Sequence, residues 1–278
     1  RDRDVTGVQT CALPISYFET GRNGSAVFDL FFRRLPSSRN FLVACGLEHA
    51  LAYLERLKFT KDSIKYLRSL GKFSEAFLNS LETFQFCGDV YAVPEGSVVF
   101  PNEPLLEVVA PIPQAQLVET FLMNQIHLCT MAASKAARVV LAAQGRTVAD
   151  FGLRRMHGTD SGVKQARAFY IAGVDSTSNV LAGEMFGIPV SGTMAHSFVQ
   201  SFDNELDAFR AFSKSYPEGT LLVDTYDTLA GVRHVIQLAR ESGTAFRIRG
   251  VRLDSGDLLQ LSKMTRELLN AAGLERVR

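Results

Sequence analysis

Four short polar clusters stand out in the second half of the chain. They read Phe151-Gly-Leu-Arg-Arg155, Ser191-Gly-Thr-Met-Ala-His196, Asp224-Thr-Tyr-Asp227 and Arg252-Leu-Asp-Ser-Gly-Asp257. Arg154, Arg155 and Arg252 supply guanidinium forks suited to carboxylate or phosphate. Asp224, Asp227, Asp254 and Asp257 supply oxygens that could hold a hard cation such as Mg²⁺, directly or through its waters. The helix expected after His196 offers backbone N–H groups and a positive dipole end to an anion. Positive forks, a carboxylate set and one imidazole together point to a phosphorylated substrate. No Walker A pattern is present, so a P-loop does not explain the set. His49, His127 and His234 read as helix residues without metal-ligand spacing, while His157 stands just past the Arg pair.

Each cluster alone also has a plain structural reading. An Arg pair is usually a solvated face, a lone His a satisfied structural residue, and Asp-Ser-Gly a turn or helix cap. What raises the chemical reading is placement. Strands are expected over 147–151, 188–191, 221–224 and 248–253, and every cluster closes one of them. Helices are expected between and after these strands, over 163–171, 176–186, 203–216, 228–242 and 258–272. Such alternation implies parallel strands with helices packed outside, and the strands' C-terminal ends then form one rim where active sites sit.

The first half has a different texture. Helical periodicity marks 46–57, 61–70 after a Thr60 cap, and 74–81. Residues 86–110 are rich in Val and broken by Pro-Glu-Gly and Pro-Asn-Glu-Pro, the signals of short strands and tight turns. The longest helix candidate is 114–144, with an Ala-rich second half suited to close packing. The fold class expected is therefore α/β, with an N-terminal α+β domain over 17–125 and a βα-patterned domain over 126–278. A complete eight-stranded barrel needs roughly 250 residues. About half that length is βα-patterned here, so the chain is expected to stop part-way round.

Composition narrows the class. Thirty Lys plus Arg against twenty-nine Asp plus Glu leave a net charge of +1. That balance argues against a chain built to coat nucleic acid or an anionic membrane. No run of about eighteen uninterrupted apolar residues is present, so no membrane span is expected. The four cysteines, at 11, 45, 87 and 129, are scattered without any C-x-x-C, which excludes a dense disulfide frame or a Cys-rich zinc site. A reduced, cytoplasmic protein is the expectation.

Residues 1–16 differ from the rest, with neither helical nor strand periodicity and no signal-peptide core. Val5 to Ile15 is the translation, codon by codon, of a common short-read sequencing adapter. This segment is accordingly expected to be extraneous, and the chain to be a fragment cut at both ends.

From Tyr17 onward the motifs RNGSAVFDLFFRRLP, FLVACGLEHALAYLERLKF, FGLRR, GVDSTSNVLAG, SGTMAHSF, LLVDTYDT and GVRLDSGDL together resemble the nicotinate phosphoribosyltransferase family. The resemblance implies a partial, irregular α/β barrel carrying a smaller N-terminal α+β domain. It implies a reaction of nicotinate with 5-phosphoribosyl-1-diphosphate, yielding nicotinate mononucleotide and diphosphate, with ATP as co-substrate and Mg²⁺ as cofactor. By motif, His196 is the residue that ATP phosphorylates, and Asp254, also expected to be catalytic, belongs with Arg154 to the nucleotide-product pocket. Thr193 and Arg252 contact nicotinate, with Arg155 the next substrate-binding candidate, Phe151 stacks on the ring, and Asp175 lies near the ring substituent. Asp224 and Asp227 are the metal candidates. A homodimer is implied when the chain is whole, with no nucleic-acid partner. The family's N-terminal aromatic and its later glycine-rich phosphate loop are missing from this sequence, so the fragment itself is expected to be poorly active. The nearest alternatives are nicotinamide phosphoribosyltransferase, disfavoured by Arg155, and a non-catalytic ligand-binding homologue, disfavoured by the joint presence of Arg154, His196, Arg252 and Asp254.

Overall fold

The computed structural model describes residues 12–278, and the extraneous segment expected over 1–16 lies outside the described residues as far as residue 11. The chain forms two compact units that divide between Ser191 and Gly192.

In the first unit, α1 (Ala12–Glu19) starts within the segment expected to be extraneous. Ile15 packs against an apolar cluster that includes Phe59, Ile64 and Leu78, and Phe18 meets the Phe77 ring edge-on at 5.8 Å. So few inward residues leave no helical period to read. The chain continues through β1 (Ser25–Leu30), β2 (Leu42–Val43), α2 (Leu47–Arg56), α3 (Lys61–Ser69) and α4 (Glu75–Leu81). Thr60 and Ser74 cap α3 and α4 by accepting the N–H of Ser63 and Phe77. Strands β3 (Asp89–Ala92), β4 (Val98–Val99) and β5 (Leu106–Pro111) fill the Val-rich stretch. The sheet order is β1-β5-β3, antiparallel throughout, while β2 pairs with β4. Strand β5 alternates buried and half-buried residues, whereas β1 is largely exposed and shows no such period. Its pairing partner makes it a strand.

Helix α5 (Ile112–Ala143) runs 32 residues, straight through the boundary expected at 125/126. By length and composition it is apolar enough to cross a membrane, yet Ala115, Val118, Leu122, Ile126, Cys129 and Ala133 are buried against other elements of this unit. That is the pattern of a core helix. After it come β6 (Ala149–Asp150), a 3₁₀ turn at Leu153–Arg155, α6 (Thr159–Ile171), β7 (Ser176–Thr177) and α7 (Val180–Phe186). Strands β6 and β7 are parallel, and Thr177 bridges Val190, also in parallel. The helix expected from 176 thus begins at Val180, because Ser176 and Thr177 are strand.

The second unit contains α8 (His196–Gln200), α9 (Glu205–Ser215), β8 (Thr220–Leu222), α10 (Thr228–Ser242), β9 (Gly250–Arg252) and α11 (Leu258–Ala271). Strands β8 and β9 pair in parallel, Leu222 opposite Arg252. Leu221, Leu222 and Val223 are fully buried with Phe209, Val232, Val235 and Leu269. An unbroken apolar run is what a parallel strand covered on both faces requires. Burying each such side chain is worth about 1.5–3 kcal/mol. Gly231 lets α10 lie directly on β8, since a Cβ there would stand 2.2 Å from the Val223 carbonyl oxygen. The fold class is α/β, with βα units built on parallel strand pairs following an N-terminal α+β part.

Candidate active site

The polar residues of the second unit meet where β8 and β9 end. Arg252 is the last residue of β9, and its Nη1 donates to Thr193 Oγ1 at 2.8 Å and to the Met194 carbonyl at 3.3 Å. Its Nη2 pairs with Asp254 Oδ1. The other Asp254 oxygen, Oδ2, lies 3.5 Å from His196 Nε2. On its far side, the imidazole places Nδ1 3.2 Å from Thr225 Oγ1. One carboxylate is thus shared between a guanidinium and an imidazole. The Arg252 hydrogen bond, aided by its charge and by His196, holds the Asp254 carboxyl below the usual carboxylate range.

Asp224 organises this end from beneath. It is buried, two residues beyond β8, and its Oδ2 accepts the N–H of Asp254 at 2.8 Å and the Ser255 hydroxyl at 2.7 Å. Its Oδ1 is buried without a partner. Asp227 caps α10, accepting the Ala230 N–H at 2.7 Å, and Asp257 caps α11, accepting the Gln260 N–H at 3.0 Å. Asp224 and Asp227, expected to hold Mg²⁺ through oxygen directly or through its waters, both carry these structural roles as well. Asp227 is engaged as a helix cap, one Asp224 oxygen holds a loop, and no group of three or more His, Cys, Asp or Glu that could hold an ion occurs among the described residues. Helix α8, which opens at His196, is five residues long.

The remaining expected site residues belong to the first unit. Phe151 follows β6, and Arg154 and Arg155 form the 3₁₀ turn; all three are exposed, as is His157. The turn is held by Asp150, whose Oδ1 accepts the Gly152 N–H at 2.8 Å and whose Oδ2 accepts the Thr177 hydroxyl at 2.9 Å. Asp175 does not share that strand end. It precedes β7, and its Oδ2 accepts the N–H of Val148, the residue before β6, at 2.7 Å. In a parallel pair that is the N-terminal end, away from Phe151, where Asp175 braces the two strands. The residue that reasoning from sequence missed at the right end is Asn179. It is buried, its Oδ1 accepts the Ala182 N–H at 3.2 Å, and its Nδ2 donor has no partner. Asn at a helix start reads as a cap and nothing more, and the unpaired donor has no signal in sequence.

The chain was compared with known proteins. The family model for the nicotinate phosphoribosyltransferase N-terminal domain matches residues 13–127, and that for the nicotinate phosphoribosyltransferase family matches residues 147–272. A nicotinate phosphoribosyltransferase of Mycobacterium tuberculosis is 56% identical over 262 residues, which cover 94% of this chain and 57% of that protein. One from Bacillus subtilis is 44% identical over 249 residues, 89% of this chain and 51% of that protein. The crystal structure of human nicotinic acid phosphoribosyltransferase aligns with a TM-score of 0.86 at 32% identity, covering 96% of this chain and 64% of that one. The chain thus spans a little over half the length of the curated relatives it matches.

Proposed function

Since the chain belongs to the nicotinate phosphoribosyltransferase family, we propose that the whole protein joins nicotinate to 5-phosphoribosyl-1-diphosphate in NAD biosynthesis. The ring nitrogen attacks C1 of the ribose and diphosphate departs, giving nicotinate mononucleotide. Little covalent work falls to the protein in such a displacement. Its tasks are to hold the partners in line and to stabilise charge on the leaving diphosphate. Arg252, with the exposed Arg154 and Arg155, has the fork geometry for a carboxylate or phosphate. Phe151 offers a ring face for stacking. Were Mg²⁺ bound, Asp224 and Asp227 would be the carboxylates to hold it, directly or through its waters, and it would supply positive charge to the phosphates.

The observation that carries the reading is the shared Asp254 carboxylate, one oxygen on Arg252 and the other toward His196. Held ionised by Arg252, Asp254 can only accept a proton at its contact with Nε2. In the neutral imidazole the hydrogen then sits on Nε2 and the lone pair on Nδ1. The Thr225 hydroxyl points its hydrogen at that lone pair until a substrate displaces it. Nδ1 is accordingly the atom that takes the γ-phosphoryl of ATP, with ADP leaving. Phosphohistidine adds negative charge and acceptor oxygens beside Arg252 and Thr193, which couples ATP hydrolysis to release or binding of diphosphate.

The test uses the full-length protein and γ-phosphate-labelled ATP. His196→Ala is expected to abolish labelling and to uncouple hydrolysis from nucleotide synthesis. Undiminished labelling in that variant rejects the assignment. Nicotinate is expected to outcompete nicotinamide as substrate in the same assay. The whole protein is further proposed to act as a cytoplasmic homodimer, which sedimentation of the full-length chain tests directly.

A further inference from the structure

Two side-chain bridges tie the same two segments of the second unit together. His196 Nδ1 meets Thr225 Oγ1 at 3.2 Å, and Glu205 Oε2 meets His234 Nδ1 at 2.9 Å. Each bridge spans 29 positions, so the two are in step, nine residues apart along both segments. The second bridge is the deeper one. Glu205 opens α9 with its side chain only 4% exposed, and its Oε1 is buried without any partner. Burial lifts its carboxyl above the usual range, His234 opposes that shift, and Asp227 and Asp224 add to it. A carboxyl in such a place is a poor choice for stability alone, because an apolar side chain would fill the site without an unpaired oxygen. Its geometry suggests what it does. Helix α10 is locked onto β8 by the close approach of Gly231 to Val223, and the loop between them presents Asp224 and Thr225. The Glu205 bridge extends that lock to α9, which follows α8 and His196 after a short turn at 201–204.

We propose that Glu205 and His234 form a positioning pair for His196, fixing the segment that carries the imidazole against the loop that carries Thr225. The proposal rests on the reading of His196 as the phosphoryl acceptor. Neither residue touches the reacting atoms; both act through the distance between Nδ1 and the Thr225 hydroxyl. Displacements of about 1 Å in a reacting group are enough to lower a rate by up to about a hundredfold.

The experiment compares full-length wild type with Glu205→Leu, Glu205→Gln, His234→Leu and His234→Asn. Three quantities are read: the initial rate of γ-phosphate transfer from ATP, the nicotinate KM, and the imidazole ¹⁵N shifts of His196, which report its tautomer. The Leu variants are expected to slow labelling at least about tenfold with the nicotinate KM within about twofold, since substrate contacts are untouched. Their His196 spectrum moves from the Nε2–H tautomer toward an averaged signal. Glu205→Gln retains an acceptor for Nδ1–H, and His234→Asn retains a donor, so both stay within about threefold of wild type. Rescue by the amides separates positioning from general loss of structure. Wild-type labelling and an unmoved His196 spectrum in the Leu variants overturn the pair, as does an amide variant as impaired as its Leu counterpart. If wild type takes no label, the phosphohistidine reading fails instead, and the tautomer shift still decides the positioning role. Should a Leu variant not fold, the amide variants and the tautomer spectrum carry the comparison. An amide spectrum shifted away from wild type then counts against the pair.

Discussion

The buried carboxylate of Asp224 receives two donors from the neighbouring strand end on one oxygen, the Asp254 N–H at 2.8 Å and the Ser255 hydroxyl at 2.7 Å. The loop after β9 therefore takes its shape from the loop after β8. Asp224→Ala removes that shared acceptor and leaves the two donors to water. Hydrogen bonds to a charged group contribute about 1.5–3 kcal/mol each in net terms. The variant is expected to lose about 2–4 kcal/mol in urea unfolding, with His196 labelling falling in parallel because Asp254 loses its anchor. A loss under about 1 kcal/mol shows that the loop is held by other means.

Asp254 gives a pH signature. Its folded carboxyl is depressed, chiefly by the hydrogen bond from Arg252. A depressed carboxylate contributes stability that is present above its unfolded value, about 3.9, and that is lost as pH falls through the folded value. Replacing Arg252 by Gln is expected to raise the Asp254 midpoint, read from side-chain carboxyl ¹³C shifts. In the variant, the acid-side loss of stability is smaller and is complete at higher pH, because it ends at the raised folded midpoint. A midpoint that stays where it was assigns the depression to something other than Arg252.

The sequence displayed the second unit better than the first. Strand β8 opens a run of buried aliphatic residues, Leu221 to Val223, that stops at Asp224, and β9 ends in Arg252, so both clusters could be placed at strand ends from pattern alone. The partners within the site could not. Thr225 was visible only as part of a polar cluster, and the Arg252–Thr193 bond joins residues 59 positions apart. No periodicity encodes such a contact. Asp175 and Asp227 show the converse. Both have the right chemistry for a site, and both are engaged with backbone N–H groups, a use that composition cannot distinguish from ligand binding. Strand β1 was missed because its burial follows no period of two, its identity coming from β5 alongside.

Gly231 is a packing requirement with a catalytic consequence. An added Cβ would stand 2.2 Å from the Val223 carbonyl oxygen, which is backbone and cannot turn aside. Gly231→Ala must push α10 off β8 and with it the loop bearing Asp224 and Thr225. Overpacking of this kind costs about 1–3 kcal/mol, outweighing the gain in helix propensity of roughly 1 kcal/mol. The variant is expected to melt lower than wild type, and a ¹⁵N spectrum should show shifts along 223–227. Unchanged melting means that α10 slides without resistance.

The first unit holds its own buried charges. Arg167 forks onto Glu95, Nη1 to Oε1 at 3.0 Å and Nη2 to Oε2 at 2.7 Å, and also pairs with Glu48. Glu95 Oε1 further accepts the Gly46 N–H at 2.6 Å, where the backbone turns through a positive φ of 105°. The Arg167 and Glu95 side chains are 12% and 16% exposed, so both ions are largely desolvated. Burial pushes the Glu95 carboxyl up, but the guanidinium fork and the Gly46 N–H outweigh it, and the net direction is downward. Arg167→Met therefore strands a buried carboxylate, at a cost of about 3–5 kcal/mol near neutral pH. In that variant burial is left with less opposition, and Glu95 moves above its unfolded value. A raised carboxyl makes the folded state bind more protons, so stability recovers as pH falls from 7 toward 5. The wild type shows no such recovery, because its Glu95 is depressed and weakens the fold only on acidification. Adding Glu95→Gln to Arg167→Met should return much of the loss at pH 7, since the amide keeps the acceptor for Gly46 without the charge. Urea unfolding of the three proteins at both pH values measures the pattern. An Arg167→Met loss that is the same at pH 5 and pH 7, and unrelieved by the second substitution, places the penalty in lost packing of the Arg167 side chain.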